Sequence, residues 1–530
     1  MHSPDNFSNT QKVAKVFIQT AGGVVASQHK RAAQVGAAVL EQGGDAVDAA
    51  IATSFALGVV EPWMSGLAAG GCMVLWRAQE KKAYGIDFGM RSPRALDPKN
   101  YPLSGNGKSS DLFPWAHVVG DRNVQGATAV AVPGVVSGMD LAHQRFGSKP
   151  WQSLVEPAAQ LAQEGLLVDW YSTLITASNA SALAADVDAA KLFLDEGKWP
   201  ISGSWAALTD RHLNQQVLAD TLQEIASNGA QSFYQGKVAH ALVQDIHSKG
   251  GCLSLEDLEH YRAQWVEPLS MPYRGANIYG VPGLTGAPTL AKALSLLEQG
   301  YIPSSTKPDA QTYTQYAKAL HEAFTARLES MGDHESPQAP GSTTHFSVVD
   351  RHGNMCSVTQ TLLSIFGSRV VSPSTGILLN NGIMWFDPEP GKPNSLEPNK
   401  RCLANYCPLI GRTEQDEFFA IGASGGRKIL GAVMQLSSFM IDFGFDLEKA
   451  FHQPRIDFSG ADKIVADHHL DDEILAALAA YLPTSVARRN IFPYLFACPA
   501  GVMRSNGLNS GCTEVMSPWG DAVLEQALSH

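Results

Sequence analysis

Apolar positions along the chain fall into blocks of helical spacing separated by shorter blocks of strict alternation. Between Lys30 and Gln42 the residues Ala33, Val35, Gly36, Ala38, Val39 and Leu40 predict a helix that Gly43-Gly44 stops, and Asp45 can cap a second helix through Ala46–Ile51. The many alanines imply close helix packing. Gly66–Gly71 leads into an apolar strand, Cys72–Trp76, and a short strand follows from Lys82 to Asp87. Ala129–Val132 predicts a strand that Pro133-Gly134 turns, with helical stretches over Val135–Phe146 and Pro150–Glu164. Ser254, followed three residues on by Asp257, marks a capped helix over Leu253–Tyr261, and Thr312–Ser330 is a long amphipathic helix.

The last third changes rhythm. Polar and apolar residues alternate through Thr343–Val349 and again through Met355–Thr361, on either side of Asp350-Arg351-His352-Gly353-Asn354, which predicts a β-hairpin with a glycine-containing turn. The segment ahead of it, Met331–Ser342, is short, polar and rich in Pro and Gly, as an exposed linker open to cleavage would be. Phe418–Ser424 followed by Gly425-Gly426-Arg427-Lys428 predicts a strand, a glycine turn and a helix start. Backbone N–H groups at such a turn can face an oxyanion, although a tight turn alone would use the same glycines.

A composition of 45% hydrophobic and 17% charged residues over 530 positions predicts a globular body with a substantial core. The net charge of -12 and the absence of a long basic run argue against a nucleic-acid partner. Ala49–Val60, the most hydrophobic early run, is too short to span a bilayer, and Met1–Lys15 is polar, so no membrane partner and a cytoplasmic location are expected. Seven cysteines without a Cys-x-x-Cys pair suit a reduced protein without a thiolate metal site. Asp467-His468-His469 holds ligand-type residues, but adjacent side chains diverge and Asp471-Asp472 suit the acidic start of the helix over Ile474–Tyr481. Neither a metal nor a cofactor is expected.

The hairpin carries the candidate chemistry. If the Ser342–Thr343 bond is cut, Thr343 gains a free α-amine with a reference pKa of about 7.7–8.0, able to act as base for its own hydroxyl. Thr343, Thr344 and Thr361 are also β-branched residues of the kind strands favour for packing.

In order along the chain, Gln42–Ala50, Val132-Pro133-Gly134, Ser254–Leu258, Thr343–Asp350, Ile377–Asn381 and Ser424-Gly425-Gly426 resemble motifs of the γ-glutamyltranspeptidase family of N-terminal-nucleophile hydrolases. The resemblance implies an α+β fold, a four-layer αββα sandwich, made as one precursor. Self-cleavage between Ser342 and Thr343 would give a large subunit, 1–342, and a small one, 343–530, that stay one body. Thr343 would be the nucleophile, Thr361 would orient it, and Gly425 and Gly426 would form the oxyanion hole.

The residues that hold a γ-glutamyl donor in the family are changed in this chain. Leu363 stands in place of an Asn, Gly382 of a Gln or Glu, Trp385 of an Asp that pairs with the ammonium, and Ala404-Asn405 of a Ser-Ser pair. Gly89 stands where a clamping Arg is expected, with Arg91 available two residues on. A site without the carboxylate should reject an ammonium-bearing donor, because a desolvated unpaired charge costs several kcal/mol. The expectation is therefore hydrolysis of a small carboxylate-bearing amide, contacted by Arg91, Trp385, Asn405 and Arg427. This is similar to the branch that resembles oxamate amidohydrolase, which converts oxamate to oxalate and ammonia. The alternatives are a γ-glutamyl hydrolase or transpeptidase acting on glutathione-type donors, an acylase for β-lactam side chains, and a non-catalytic relative. A homo-oligomer of the cleaved pair is expected.

Overall fold

The computed structural model describes residues 12–108, 115–203, 210–331, 341–459 and 463–525. The expected linker Met331–Ser342 therefore falls largely outside the described residues. The first two helices are α1, Lys30–Glu41, and α2, Ala46–Val60. Asp45 starts α2 as anticipated. Its carboxylate accepts from the Val47 and Asp48 amides while the Asp48 side chain accepts from the Asp45 amide, satisfying N–H groups that the helix leaves without partners. The small residues that predicted close packing are buried almost all round α2.

Fourteen strands form two antiparallel seven-stranded sheets. They are β1 Ile18–Thr20, β2 Val24–Ser27, β3 Gly70–Arg77, β4 Lys82–Phe88, β5 Gln264–Val266, β6 Leu269–Tyr273 and β7 Ala276–Gly280, then β8 Gly341–Val349, β9 Met355–Ser364, β10 Leu409–Arg412, β11 Phe418–Ser424, β12 Cys498–Ser505, β13 Leu508–Thr513 and β14 Asp521–Leu524. The first sheet runs β5-β4-β3-β9-β8-β2-β14 and the second β1-β13-β12-β11-β10-β7-β6. The hairpin predicted around Asp350 is β8–β9. Asp350 closes its turn, accepting from the His352 and Asn354 amides, and its second oxygen accepts from the Ala46 amide, tying the turn to the start of α2.

Period-two alternation sorts the hairpin's side chains between two cores. Phe346, Val348, Val358 and Leu362 face outward into a core with α1 and α2, whereas Val349, Met355 and Leu363 face inward into the core between the sheets with Val74, Ala420 and Val502. A third core packs the second sheet against α3 Ala287–Gly300, α4 Ala310–Met331 and α5 Lys428–Phe443. Three apolar interfaces between four layers make the fold the αββα sandwich of the N-terminal-nucleophile hydrolases. Among the described residues no helix is long and apolar enough to cross a membrane.

Ala129–Val132 is not a strand, contrary to its pattern; it makes only an isolated bridge from Val132 to Arg91. The Asn380 side chain takes the strand partner's part, accepting from the Ala131 amide at 2.9 Å and donating to the Ala131 carbonyl at 2.8 Å. Pro133 has no N–H with which to extend a ladder.

Candidate active site

Thr343 lies three residues into β8, with its side chain on the inward face and 5% exposed. Ser342 pairs with Leu363 but Thr344 pairs with Gln360, so Thr361 and Leu362 together oppose the single residue Thr343. This is a β-bulge, a device that bends a strand and re-aims its side chains. The Thr343 hydroxyl lies 3.4 Å from the Thr361 hydroxyl, which also accepts from the Leu363 amide at 2.8 Å. Leu363 adopts φ of +87°, a conformation costing a non-glycine residue about 1–3 kcal/mol. Asn381 holds the strand beyond the bulge, accepting from the Ser364 amide and donating to the Ser364 hydroxyl.

His345 is bonded through both ring nitrogens, to Thr359 at 2.9 Å and Ser347 at 3.0 Å, and its ring sits against Gly422 of the opposite sheet. Burial pushes its pKa down to about 3, so it is a neutral spacer between the sheets and holds no proton for catalysis at neutral pH. Gln28, just past β2, donates to the Ser424 hydroxyl at 2.8 Å and the Cys498 carbonyl at 2.6 Å, joining the sheets immediately before the glycine turn.

That turn places Gly425 at φ of +132° and Gly426 at φ of +61° ahead of α5. A Cβ on Gly425 would lie 3.0 Å from the Ala497 Cα. Among the described residues no loop carbonyl or side chain accepts from either glycine amide. Two amides at the positive end of a buried helix form a ready site for developing negative charge. Beside them, Arg427 has an Nη2 without a hydrogen-bond partner. Burial lowers the pKa of both Arg427 and Lys428, and Asp457, itself pushed up to about 6 by burial, opposes this.

The outward face at the same level holds a group the sequence reading missed. The Thr344 hydroxyl donates at 2.9 Å to Glu61, whose carboxyl burial pushes up to about 8. The available signal was an ionisable residue inside the apolar run Val59-Val60-Glu61-Pro62-Trp63. A raised carboxyl pKa means that the folded chain binds the proton more tightly. The stability this group contributes is therefore fullest below its ordinary value near 4.5 and declines as pH rises toward 8. Glu61→Gln, which removes the titration, is expected to gain on the wild type by a few kcal/mol (order of magnitude) between pH 5 and pH 8; urea midpoints at the two pH values would read this.

The expected substrate residues separate into two groups. Trp385 is buried in contact with Tyr406, their ring centres 5.6 Å apart, with its indole N–H unpartnered. Asn405 accepts at 3.2 Å from Arg327, a buried residue of α4 that also donates to the Thr285 and Ala404 carbonyls. That bond fixes the Asn405 amide by its oxygen, leaving its NH₂ as the outward group. Burial lowers the Arg327 pKa to about 10, which leaves it charged at neutral pH.

Arg91 bridges through its backbone to Val132 and Arg401. Its guanidinium donates to the Asn399 carbonyl at 2.9 Å in an exposed setting. At Gly89 no larger residue fits, because a Cβ would meet the Tyr406 hydroxyl at 2.7 Å and Asp87 at 3.1 Å. Asp87 instead pairs with Arg401 at 2.9 Å, so the arginine beside Gly89 comes from a distant segment, where local spacing gives no sign of it. At Gly382 the space for a longer side chain is taken by Ala131 and Met90. Asp467, His468 and His469 do approach within 4.8 Å, both rings lying against one Asp467 oxygen while its other oxygen pairs with Arg489 at 2.7 Å.

The family profile described as gamma-glutamyltranspeptidase matches residues 32–341 and 336–492. A glutathione hydrolase proenzyme of Bacillus subtilis is 30% identical over 488 residues, covering 82% of this chain and 80% of its own length. An acylase ACY 1 proenzyme of Pseudomonas sp. is 31% identical over 469 residues, covering 82% of each chain. Among solved structures, cephalosporin acylase from Bacillus halodurans superposes with a TM-score of 0.83 at 25% identity over 99% of both chains. Helicobacter pylori gamma-glutamyltranspeptidase gives 0.51 at 27% identity, covering 62% of this chain and 86% of that one. With the family profile matching residues 32–341 and 336–492, and a relative 31% identical over 82% of each chain, the chain belongs to the gamma-glutamyltranspeptidase family.

Proposed function

We propose that the chain is a self-cleaving amidohydrolase that uses Thr343 as nucleophile on a small carboxylate-bearing amide, with oxamate as the leading candidate. The observation that carries the mechanism is a threonine hydroxyl held at a bulge beside a second threonine, on a strand facing a glycine turn at a helix start. In maturation the Thr343 hydroxyl attacks the Ser342 carbonyl, its proton passing to the Thr343 nitrogen as the C–N bond breaks to free the amine and leave an ester, which water then hydrolyses to the free hydroxyl and the Ser342 carboxylate. In turnover that amine takes the hydroxyl proton as the oxygen attacks the substrate amide, and the Gly425 and Gly426 amides receive the oxyanion. The amine then passes the proton to the departing nitrogen. Water, deprotonated by the same amine, hydrolyses the acyl-enzyme.

The substrate reading is supported by Tyr406 at Gly89, Ala131 and Met90 at Gly382, and the indole of Trp385, and by the pairing of Asp87, the carboxylate beside Gly89, with Arg401 rather than with an open site. Donors remain in Arg427 and Asn405, with Arg401 beside Gly89. Purified protein is expected to release ammonia from oxamate and to turn over a γ-glutamyl anilide more slowly by about 10²–10⁴-fold. Comparable rates on the anilide would transfer the assignment to γ-glutamyl hydrolysis. The full-length likeness to a cephalosporin acylase favours a second reading, an acylase for β-lactam side chains, which rapid release of the side-chain acyl group from a cephalosporin would select.

A further inference from the structure

Glu61 caps the C-terminus of α2, its backbone N–H donating to the Leu57 carbonyl, and is 3% exposed. The residues just beyond it hold the hairpin, since the Trp63 carbonyl accepts from the Phe366 amide at 2.9 Å and the Met64 carbonyl from the Leu362 amide at 3.1 Å. The bulge is thus gripped on its β9 side by backbone bonds. On its β8 side, the Thr344 hydroxyl gives Glu61 a 2.9 Å hydrogen bond one residue from Thr343.

We propose that Glu61 is a positioning residue for Thr343, holding the bulged end of β8 through the Thr344 hydroxyl. This rests on the reading of Thr343 as nucleophile. Alternation turns Thr343 inward and Thr344 outward, so fixing the Thr344 side chain fixes the backbone from which the Thr343 hydroxyl projects. The bulge needs such a hold, because Leu363 across from it is in a strained conformation that would relax if released.

The titratable neighbours of Glu61 supply no cation. They are Tyr171, on the helix Trp170–Leu183, whose hydroxyl is bonded to Tyr494 at 2.8 Å, and Cys498 at the start of β12. His29, which shares a cavity of about 380 Å³ with Val60, is kept neutral by burial and by Arg31. Glu61 therefore does its work as an uncharged carboxyl. Once ionised, it puts a negative charge in a low-dielectric site against Thr344, two residues from the oxyanion that forms at Ser342, which disfavours cleavage.

Precursor made in a cell-free reaction and shifted to buffers from about pH 6 to 9.5 tests this by the rate of cleavage on denaturing gels. The wild-type rate is expected to fall about tenfold per pH unit above the Glu61 transition, and the Glu61→Gln rate to stay level, since a single ionisation sets that slope. Thr344→Val is expected to cleave about tenfold more slowly at every pH, with Thr344→Ser restoring the rate. Superimposable wild-type and Glu61→Gln profiles, or a Thr344→Val rate equal to wild type, overturn the proposal while leaving Thr343 as nucleophile. A wild-type chain that fails to cleave at any pH overturns the nucleophile reading as well.

Discussion

Thr343→Ala is expected to leave the precursor as a single full-length band under denaturing conditions, where the wild type resolves into fragments divided after Ser342. Without the hydroxyl there is no attack on the Ser342 carbonyl, and without the cut there is no free amine. Amide hydrolysis should therefore fall by about 10³-fold or more, to what binding and oxyanion donors alone support. The fold should survive. The change removes one hydroxyl and one methyl at a strand end, a loss of about 1–2 kcal/mol, and a thermal melt should move by only a few degrees. A variant that still splits at the same bond would remove Thr343 from the mechanism.

Gly425→Ala should strike the other half of the chemistry. The backbone there sits at φ of +132°, where an L side chain is strained, and the added methyl would stand 3.0 Å from the Ala497 backbone. The turn must shift, and the two amides proposed to receive the oxyanion shift with it. Loss of oxyanion donor geometry predicts a fall of about 10²–10³-fold in kcat, with a smaller change in KM, because these donors act on charge that exists only during reaction. The same substitution should slow precursor cleavage, which passes through an oxyanion too. A wild-type kcat would show that the turn is structural only.

The hairpin, the capped helix α2 and the glycine turn were legible because each depends on residues close together in sequence. Alternation fixes which face a side chain takes, Asp45 reaches only its own first turn, and Gly425-Gly426 sits directly between a strand and a helix. Ala129–Val132 misled for a reason no local pattern carries: its bonding partner is the side chain of Asn380, some 250 positions away. The substrate side was less legible for the same reason. Arg91 is the nearest arginine in sequence to Gly89, but a second, Arg401, reaches it from a distant segment through its pairing with Asp87, while the Arg91 guanidinium bonds Asn399. Glu61 was hidden by its ordinary appearance at a helix end. Only the packing of α2 on the hairpin turns an acidic cap into a proton-bearing group beside the nucleophile.

The order of strands in the sandwich bears on what a cut would leave behind. β8 from Thr343 onward and all of β9 lie downstream of Ser342, yet they are hydrogen-bonded on their outer sides to β2 and β3, which lie upstream, and β14 closes the far edge against β2. In the second sheet the upstream β1 and β7 flank the downstream run β10 to β13. The two pieces would be woven through one another like the fingers of clasped hands. Dilution should not part them, and separately made halves should not reassemble by simple mixing; they would come apart only when the whole body melts, in one transition.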